Sequence, residues 1–295
     1  MTNFPADLKR GRPGGRRSGR ATAVTGYDGR TMIARGTAIP LDEGSTDPLF
    51  VRAAARAMAV LSAFHYVDRP LSLSEIAKET GLDRSTTQRI VHTLRKLNYL
   101  QRDEHDRGFV PGIRIYDHIF DAMRLNGLIQ RAVPYLLDLR SNVNERVDLS
   151  LIDDLRLVYA TRLEPKREVL HAMLVGLSVP ICCTSSGWAV LSRLPEEEAR
   201  DILRRSNLQR FTPRTLVDED EILARAAEAA ERGYAIAIEQ LLPGEIGIAA
   251  AVTNTDGRPV GAVAITALLS DWTPEEFDRA MSPALMQTVN ALGRS

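Results

Sequence analysis

The sequence predicts an α+β chain in two parts. An N-terminal winged helix-turn-helix, α with a small β wing, precedes a C-terminal α+β domain with a mainly antiparallel sheet. Three observations predict it. Residues 71–110 (LSLSEIAKETGLDRSTTQRIVHTLRKLNYLQRDEHDRGFV) read as a helix, a glycine turn, a second helix and a β-hairpin. From Val147 onward, short β-rich segments interleave with helical ones. The length of 295 residues, at about 150 per domain, makes two domains plus extensions.

The first fifty residues stand apart. Lys9 to Arg20 (KRGRPGGRRSGR) holds six basic residues, four glycines and a proline, with almost nothing to build a core, so residues 1–48 are expected to be a disordered basic extension. Within it, Arg10-Gly11-Arg12-Pro13 resembles the core of an AT-hook, in which two arginines enter the minor groove of A·T-rich DNA; a plain basic tail is the alternative. No apolar segment follows the early charge, so it does not read as a secretory signal.

Residues 49–114 form the next unit. Val51–Phe64 is alanine-rich and helical, with Val51, Ala55, Met58 and Leu61 among its apolar positions. In the next helix Leu73, Ile76 and Ala77 fall at i, i+3, i+4; Ser72 or Ser74 caps it, and Gly81 ends it where a left-handed residue is wanted. Asp83 caps the following helix, placing a carboxylate at its positive end. Ile90, Val91, Leu94 and Leu97 are expected to be its buried stripe. The opposite face carries Ser85, Thr86, Gln88, Arg89, His92, Arg95 and Lys96, with no acidic residue between Asp83 and Asp103. An ordinary solvated face mixes signs, whereas an acid-free face rich in hydrogen-bonding groups suits a polyanion. Two strands around the turn Asp106-Arg107-Gly108 make the wing. A winged helix-turn-helix lays its second helix in the DNA major groove. Here Ser85, Thr86, Gln88 and Arg84 are expected at base edges, with Arg89, Arg95, Arg52 and Arg56 on phosphates. His92 shares the reading face, and Arg102 and Arg107 reach phosphates from the wing.

Charge distribution agrees. The whole chain has 38 basic and 38 acidic residues, but residues 1–115 hold 19 Lys+Arg against 12 Asp+Glu, and the remainder 19 against 26. Such asymmetry is expected when one part binds nucleic acid and the other does not.

Residues 115–128 read as a linker helix, with Ile119, Met123 and Leu125 on one side, and residues 129–292 as a second domain, to which the family resemblance given below assigns effector binding and oligomerisation. A helix is expected over 132–142, then strands at 147–152, 157–162 and 169–175. Helices follow at 185–192, 195–205 and 218–232, the last ending at Gly233. Strands resume at 234–238, 246–253 and 259–268, the last two joined through Asp256-Gly257. A final helix over 273–292 is capped by Thr273, with Pro274 in its first turn.

On three motif blocks the chain resembles the IclR-type bacterial transcriptional regulators. These are STTQRIVHTL in the helix-turn-helix, VPICCTSSGWAVL at 179–191 with RGYA at 232–235, and GEIGIAAAV at 244–252 followed by Asp256-Gly257 and GAVAI at 261–265. The resemblance covers about residues 50–292. It implies a GAF-like effector domain, dimers that often associate into tetramers, double-stranded DNA as partner, contact with RNA polymerase where the regulator activates, and a cytoplasmic, nucleoid-associated place of work. It also implies a pocket lined by Ser185, Ser186, Gly187, Ala237, Gly247, Ala264 and Thr266, where small residues leave room and hydroxyls hold a carboxylate. Arg162 and His171 are candidate carboxylate partners. The block Leu170-His171-Ala172-Met173 before TSSG resembles the branch that controls aromatic catabolism, which implies an aromatic or other small organic acid as effector. The chain departs from its relatives at Cys182-Cys183, where His-Ala is common. It departs again at Ala237 and Ile238, where acidic residues are frequent and only Glu239 is kept.

Other function classes fit less well. Cys183 ahead of Thr184-Ser185-Ser186-Gly187 offers a nucleophile, yet no base lies nearby in sequence, and GxSxG, HExxH and phosphate-cradling glycine loops are missing. Two adjacent cysteines make neither a disulfide framework nor a metal site, so no metal, no cofactor and no enzymatic activity are expected. The longest apolar run, Ile246–Val252, is far too short to span a bilayer, so no membrane partner is expected. An architectural DNA-binding protein without an effector would account for the tail and the winged helix, but not for a large C-terminal domain.

Overall fold

The computed structural model describes residues 47–65, 67–165 and 175–293. The basic extension with Arg10 and Arg12, and the segment 166–174 with His171, lie outside the described residues.

The N-terminal unit packs three helices, α1 (Arg52–Ser62), α2 (Leu73–Thr80) and α3 (Arg84–Lys96), on a hairpin of β1 (Leu100–Arg102) and β2 (Phe109–Pro111). Local chemistry sets each boundary. Ser72 accepts from the Glu75 N–H while Glu75 accepts from the Ser72 N–H, a reciprocal capping box at the start of α2. Gly81 ends α2 at φ +68°. Asp83 caps α3 through the Thr86 N–H at 2.9 Å and also accepts from the Ser85 hydroxyl at 2.7 Å. Leu71 bridges β2 by two backbone hydrogen bonds with Phe109, tying the wing to the entry of α2.

The core of this unit is Val60, Leu71, Ile76, Leu82, Val91, Leu94, Leu100 and Phe109. Two expectations need correcting. Val51 and Met58 are exposed, and α1 turns Val60 inward instead: an alanine-rich helix has no strong stripe to fix its rotation. Leu97 is 54% exposed because the chain leaves the helix there, as its C-cap. Thr87, to which the sequence alone assigns no role, is fully buried, and its hydroxyl donates to the Asp83 carbonyl one turn back.

Two helices connect the units: α4 (Arg114–Leu125) and α5 (Gly127–Val143). They break at Asn126, which caps α5 through the Ile129 N–H, so α5 begins five residues earlier than expected. Among the described residues the C-terminal domain is built on one six-stranded sheet, ordered β5-β4-β3-β8-β7-β6, with all its pairings antiparallel. Its strands are β3 (Arg146–Asp153), β4 (Arg156–Leu163), β5 (Ser178–Pro180), β6 (Ala235–Ile238), β7 (Glu245–Thr253) and β8 (Pro259–Leu268). The strand expected over 169–175 falls mostly outside the described residues, and β5 was not anticipated.

Strand alternation assigns the faces. Ile246, Ile248, Ala250 and Val252 of β7, with Val263 and Ile265 of β8, pack under α5 and α9 (Pro274–Gly293). Their neighbours Gly247, Ala249, Ala251, Ala262 and Ala264 face α6 (Ser185–Leu191), α7 (Glu196–Arg205) and α8 (Glu219–Arg232). The second face is built of small residues, which leaves space beneath α6.

Candidate DNA-reading helix and effector pocket

The exposed face of α3 presents Arg84, Ser85, Gln88, Arg89, His92, Arg95 and Lys96, with Thr86 half-buried beside them. Gln88, His92 and Arg95 follow at helical spacing, as do Ser85 and Arg89, so one surface brings them together. Among the described residues none of these side chains is ion-paired, so the donors of Arg84, Gln88, Arg89, His92, Arg95 and Lys96 are available to a partner. Hydrogen bonds from Thr86 and Ser85 hold the Asp83 carboxyl well below the usual carboxylate range, so it stays charged as a cap. Ser85 therefore spends its hydroxyl proton inside the cap. Arg52 is exposed; Arg56 is half-buried, with a buried Nε that has no hydrogen-bond partner. In the wing, Arg107 pairs with Asp103 at 2.9 Å and Arg102 with Asp106 at 3.4 Å, while Arg102 also lies over the Phe109 ring. Both wing arginines would have to exchange a carboxylate for a phosphate.

The second site is a small cavity, about 60 Å³, between the small-residue face of the sheet and α6. Ser185, Ser186, Ala237, Gly247, Ala264 and Thr266 all line it. Sheet register explains the convergence. Ala237 lies opposite Gly247, Gly247 opposite Thr266 and Thr266 opposite Arg146, so one row crosses four strands; Ala264, Asp148 and Arg162 form the next. A Cβ on Gly247 would stand 3.0 Å from the Ser185 Oγ and 3.5 Å from the Thr266 Oγ1.

Gly187 does not line the cavity. A Cβ there would lie 1.7 Å from the Ile181 carbonyl oxygen, so this glycine lets α6 close on the 3₁₀ turn Ile181–Cys183. The same junction is pinned by the Trp188 indole N–H donating to the Cys182 carbonyl at 2.8 Å and by the Gly187 N–H donating to the Thr184 Oγ1 at 3.0 Å. Arg162 lies behind the cavity wall, 3.4 Å from Asp148 and 3.3 Å from Glu164, and over the Tyr159 ring.

The cavity has a charged wall that local sequence reading misses. Arg146 donates to both oxygens of Glu245, at 3.0 and 3.4 Å, and stands 3.3 Å from Asp148. Asp148 is 1% exposed, and burial pushes its carboxyl upward against the pull of Arg162 and Arg146. Arg146 is held firmly protonated in spite of its burial by Glu245 and Asp148. Tyr159, Glu239 and Gln240 complete this wall. One local signal was available: Arg146, Asp148 and Ser150 alternate with Val147, Leu149 and Leu151, so charged residues occupy the face of a strand whose other face is core.

Cys182 and Cys183 are buried free thiols. The neighbouring thiol, and then burial, push Cys183 well upward, the reverse of what a nucleophile needs. Among the described residues no cluster of His, Cys, Asp and Glu could hold a metal, and no helix is long and apolar enough to cross a membrane.

Comparison with known proteins places this geometry. Residues 53–104 match the family described as the IclR helix-turn-helix domain, and residues 120–294 match the bacterial transcriptional regulator IclR C-terminal domain. The Pca regulon regulatory protein of Pseudomonas putida is 26% identical over 241 residues, 81% of this chain and 82% of that one. A crystal structure of a transcriptional regulator from Rhodococcus sp. RHA1 superimposes with a TM-score of 0.71 at 26% identity, covering 83% of this chain and 98% of that one. An IclR homologue of Microbacterium hydrocarbonoxydans, crystallised with 4-hydroxybenzoate, shares the fold at a TM-score of 0.67 and 24% identity, over 82% of this chain and 98% of that one. With its capped helix-turn-helix and its six-stranded C-terminal domain both matched, the chain belongs to the IclR family of bacterial transcriptional regulators.

Proposed function

We propose that α3 reads an operator in the major groove and that a small organic acid in the α6 cavity adjusts the affinity or activity of the bound regulator. The observation that carries the first half is the acid-free, unpaired face of α3 on a helix fixed at its start by Asp83. Gln88 reads a base edge, helped by Arg84, Ser85, Thr86 and His92; Arg89, Arg95, Arg52 and Arg56 hold phosphates and set the register. The Microbacterium homologue's 4-hydroxybenzoate supports an organic-acid effector. The aromatic preference rests on residues 170–173, outside the described residues. The raised Cys183 thiol supports a binding role over catalysis, and a regulator of transcription works in the cytoplasm with the DNA.

The protein binds as a dimer, in this reading, through the linker. None of the twelve residues of α4 is buried, yet Tyr116, Ile119, Phe120 and Leu125 are large, apolar and exposed, with Ile113 exposed just before them. A second copy covers such a face and sets two recognition helices one DNA turn, about 34 Å, apart. Effector binding then changes operator affinity by altering the geometry between them, and a coupling of about 1–3 kcal/mol suffices.

The test is a mobility shift on DNA upstream of the protein's own gene, with competitor DNA, with and without candidate acids. Saturable binding at one discrete site, altered by an acid, supports the reading. Binding no stronger than to random DNA, with or without acid, removes it.

A further inference from the structure

Resting on the effector-pocket reading above, we infer that the ligand of this cavity is a small zwitterion, an α-amino acid, rather than a simple carboxylate. Charge is the first argument. The lining carries one guanidinium, Arg146, and three carboxylates, Asp148, Glu239 and Glu245. Arg162 backs Asp148 at 3.4 Å, and Arg214 meets Glu239 at 3.0 Å from the exposed side. These six charges cancel before any ligand enters, and Glu164, 3.3 Å from Arg162, adds a further carboxylate. Arg146, the lining cation, already holds both Glu245 oxygens and stands against Asp148. A lone carboxylate entering here competes with carboxylates in place and leaves unmatched negative charge in a largely buried space, which is costly. A zwitterion adds no net charge: its carboxylate shares Arg146, and its ammonium meets the displaced acidic oxygens of Asp148 and Glu245.

Unused hydrogen-bonding capacity is the second argument. The Arg146 Nε and the Asp148 Oδ1 are both buried and make no hydrogen bond: the first stands 3.3 Å from the Asp148 Oδ2 and the second 3.4 Å from the Arg162 Nε, ion-pair contacts only. Buried polar atoms are normally hydrogen-bonded, so a donor and an acceptor held by charge contacts alone have capacity for a ligand that brings one of each. An α-amino acid carries the two on adjacent atoms. The hydroxyls of Ser185, Ser186 and Thr266 serve either end.

Size is the third. A cavity of about 60 Å³ holds roughly four to six water-sized groups. Glycine, alanine and serine have that scale.

The experiment measures binding to the full chain by calorimetry and by shift of the thermal transition. The probes are glycine, L-alanine and L-serine, beside acetate, propionate and lactate, which lack the amine, and 4-hydroxybenzoate. The expected result is that at least one amino acid binds ten-fold or more tighter than its amine-free counterpart. Asp148→Asn should erase that preference, and so should Glu245→Gln, which leaves the Asp148–Arg162 pair untouched should the first variant fail to fold. Equal or tighter binding of the amine-free acids, or of 4-hydroxybenzoate alone, overturns the zwitterion and leaves the organic-acid pocket standing. No binding of any probe overturns both.

Discussion

Replacing Gly187 by alanine is the most severe one-carbon change the C-terminal domain offers. The added Cβ would sit 1.7 Å from the Ile181 carbonyl oxygen, 2.6 Å from its carbon and 2.9 Å from its Cα. Real Cβ atoms essentially never approach within 3.0 Å, so helix and turn must separate by more than an ångström. The obstacle is backbone, and the turn is locked on both sides: Ile181, Cys182 and Cys183 are buried, and the Trp188–Cys182 hydrogen bond spans the gap. Overpacking with no soft neighbour falls at the upper end of about 1–3 kcal/mol. For a domain of this size about 3 kcal/mol lowers the melting temperature by roughly 6–12 °C. Gly247→Ala is the internal control, because its Cβ meets the Ser185 side-chain oxygen at 3.0 Å and that group can turn away. Its cost should stay under about 1 kcal/mol. Thermal unfolding followed by circular dichroism, with both variants beside wild type, checks the pair. A Gly187→Ala protein melting within about 1 °C of wild type would refute the close-packing role assigned to this glycine.

Three further outcomes follow from the same geometry. Arg89→Ala should weaken binding to all DNA and lower the slope of log K against log salt by about 0.9, roughly a 3.5-fold difference over a four-fold salt range; an unchanged slope removes Arg89 from the phosphate set. Leu94→Ala, buried in the core of the N-terminal unit, should cost that unit about 2–5 kcal/mol in urea unfolding; a loss under about 1 kcal/mol would mean this core is looser than its burial states. Phe120→Glu places a charge on the exposed apolar face of α4 and should shift the protein toward monomer in sedimentation; an unchanged mass would put the dimer contact elsewhere.

Elements set by neighbouring residues were legible in the sequence. Caps at Ser72, Asp83 and Thr273, stops at Gly81 and Gly233, and the Asp256-Gly257 turn all act within four residues, and each appears where the local chemistry requires it. The rotation of α1 was not legible, because alanine leaves the choice between Met58 and Val60 to tertiary packing. Family resemblance named seven small or hydroxyl positions for a pocket, and six of them line the cavity beneath α6. Gly187 was the exception: its close contact is with the Ile181 backbone six residues earlier, and sequence alone does not show that the 3₁₀ turn folds back on α6. The charged wall escaped because Arg146 and Glu245 meet across 99 residues of sequence, through the β3–β8–β7 register. Arg162, expected as a partner for the effector's carboxylate, stands against the chain's own Asp148 and Glu164.

Base reading by α3 is the central claim, and the most direct measurement is the base preference of wild type, Gln88→Ala and Arg89→Ala on a randomised operator library. The account predicts that Gln88→Ala loses preference at one position in each half-site, while Arg89→Ala keeps the wild-type profile and binds every sequence more weakly. Identical profiles and affinities for all three proteins would contradict it, and sequence recognition would then have to lie off the face of α3.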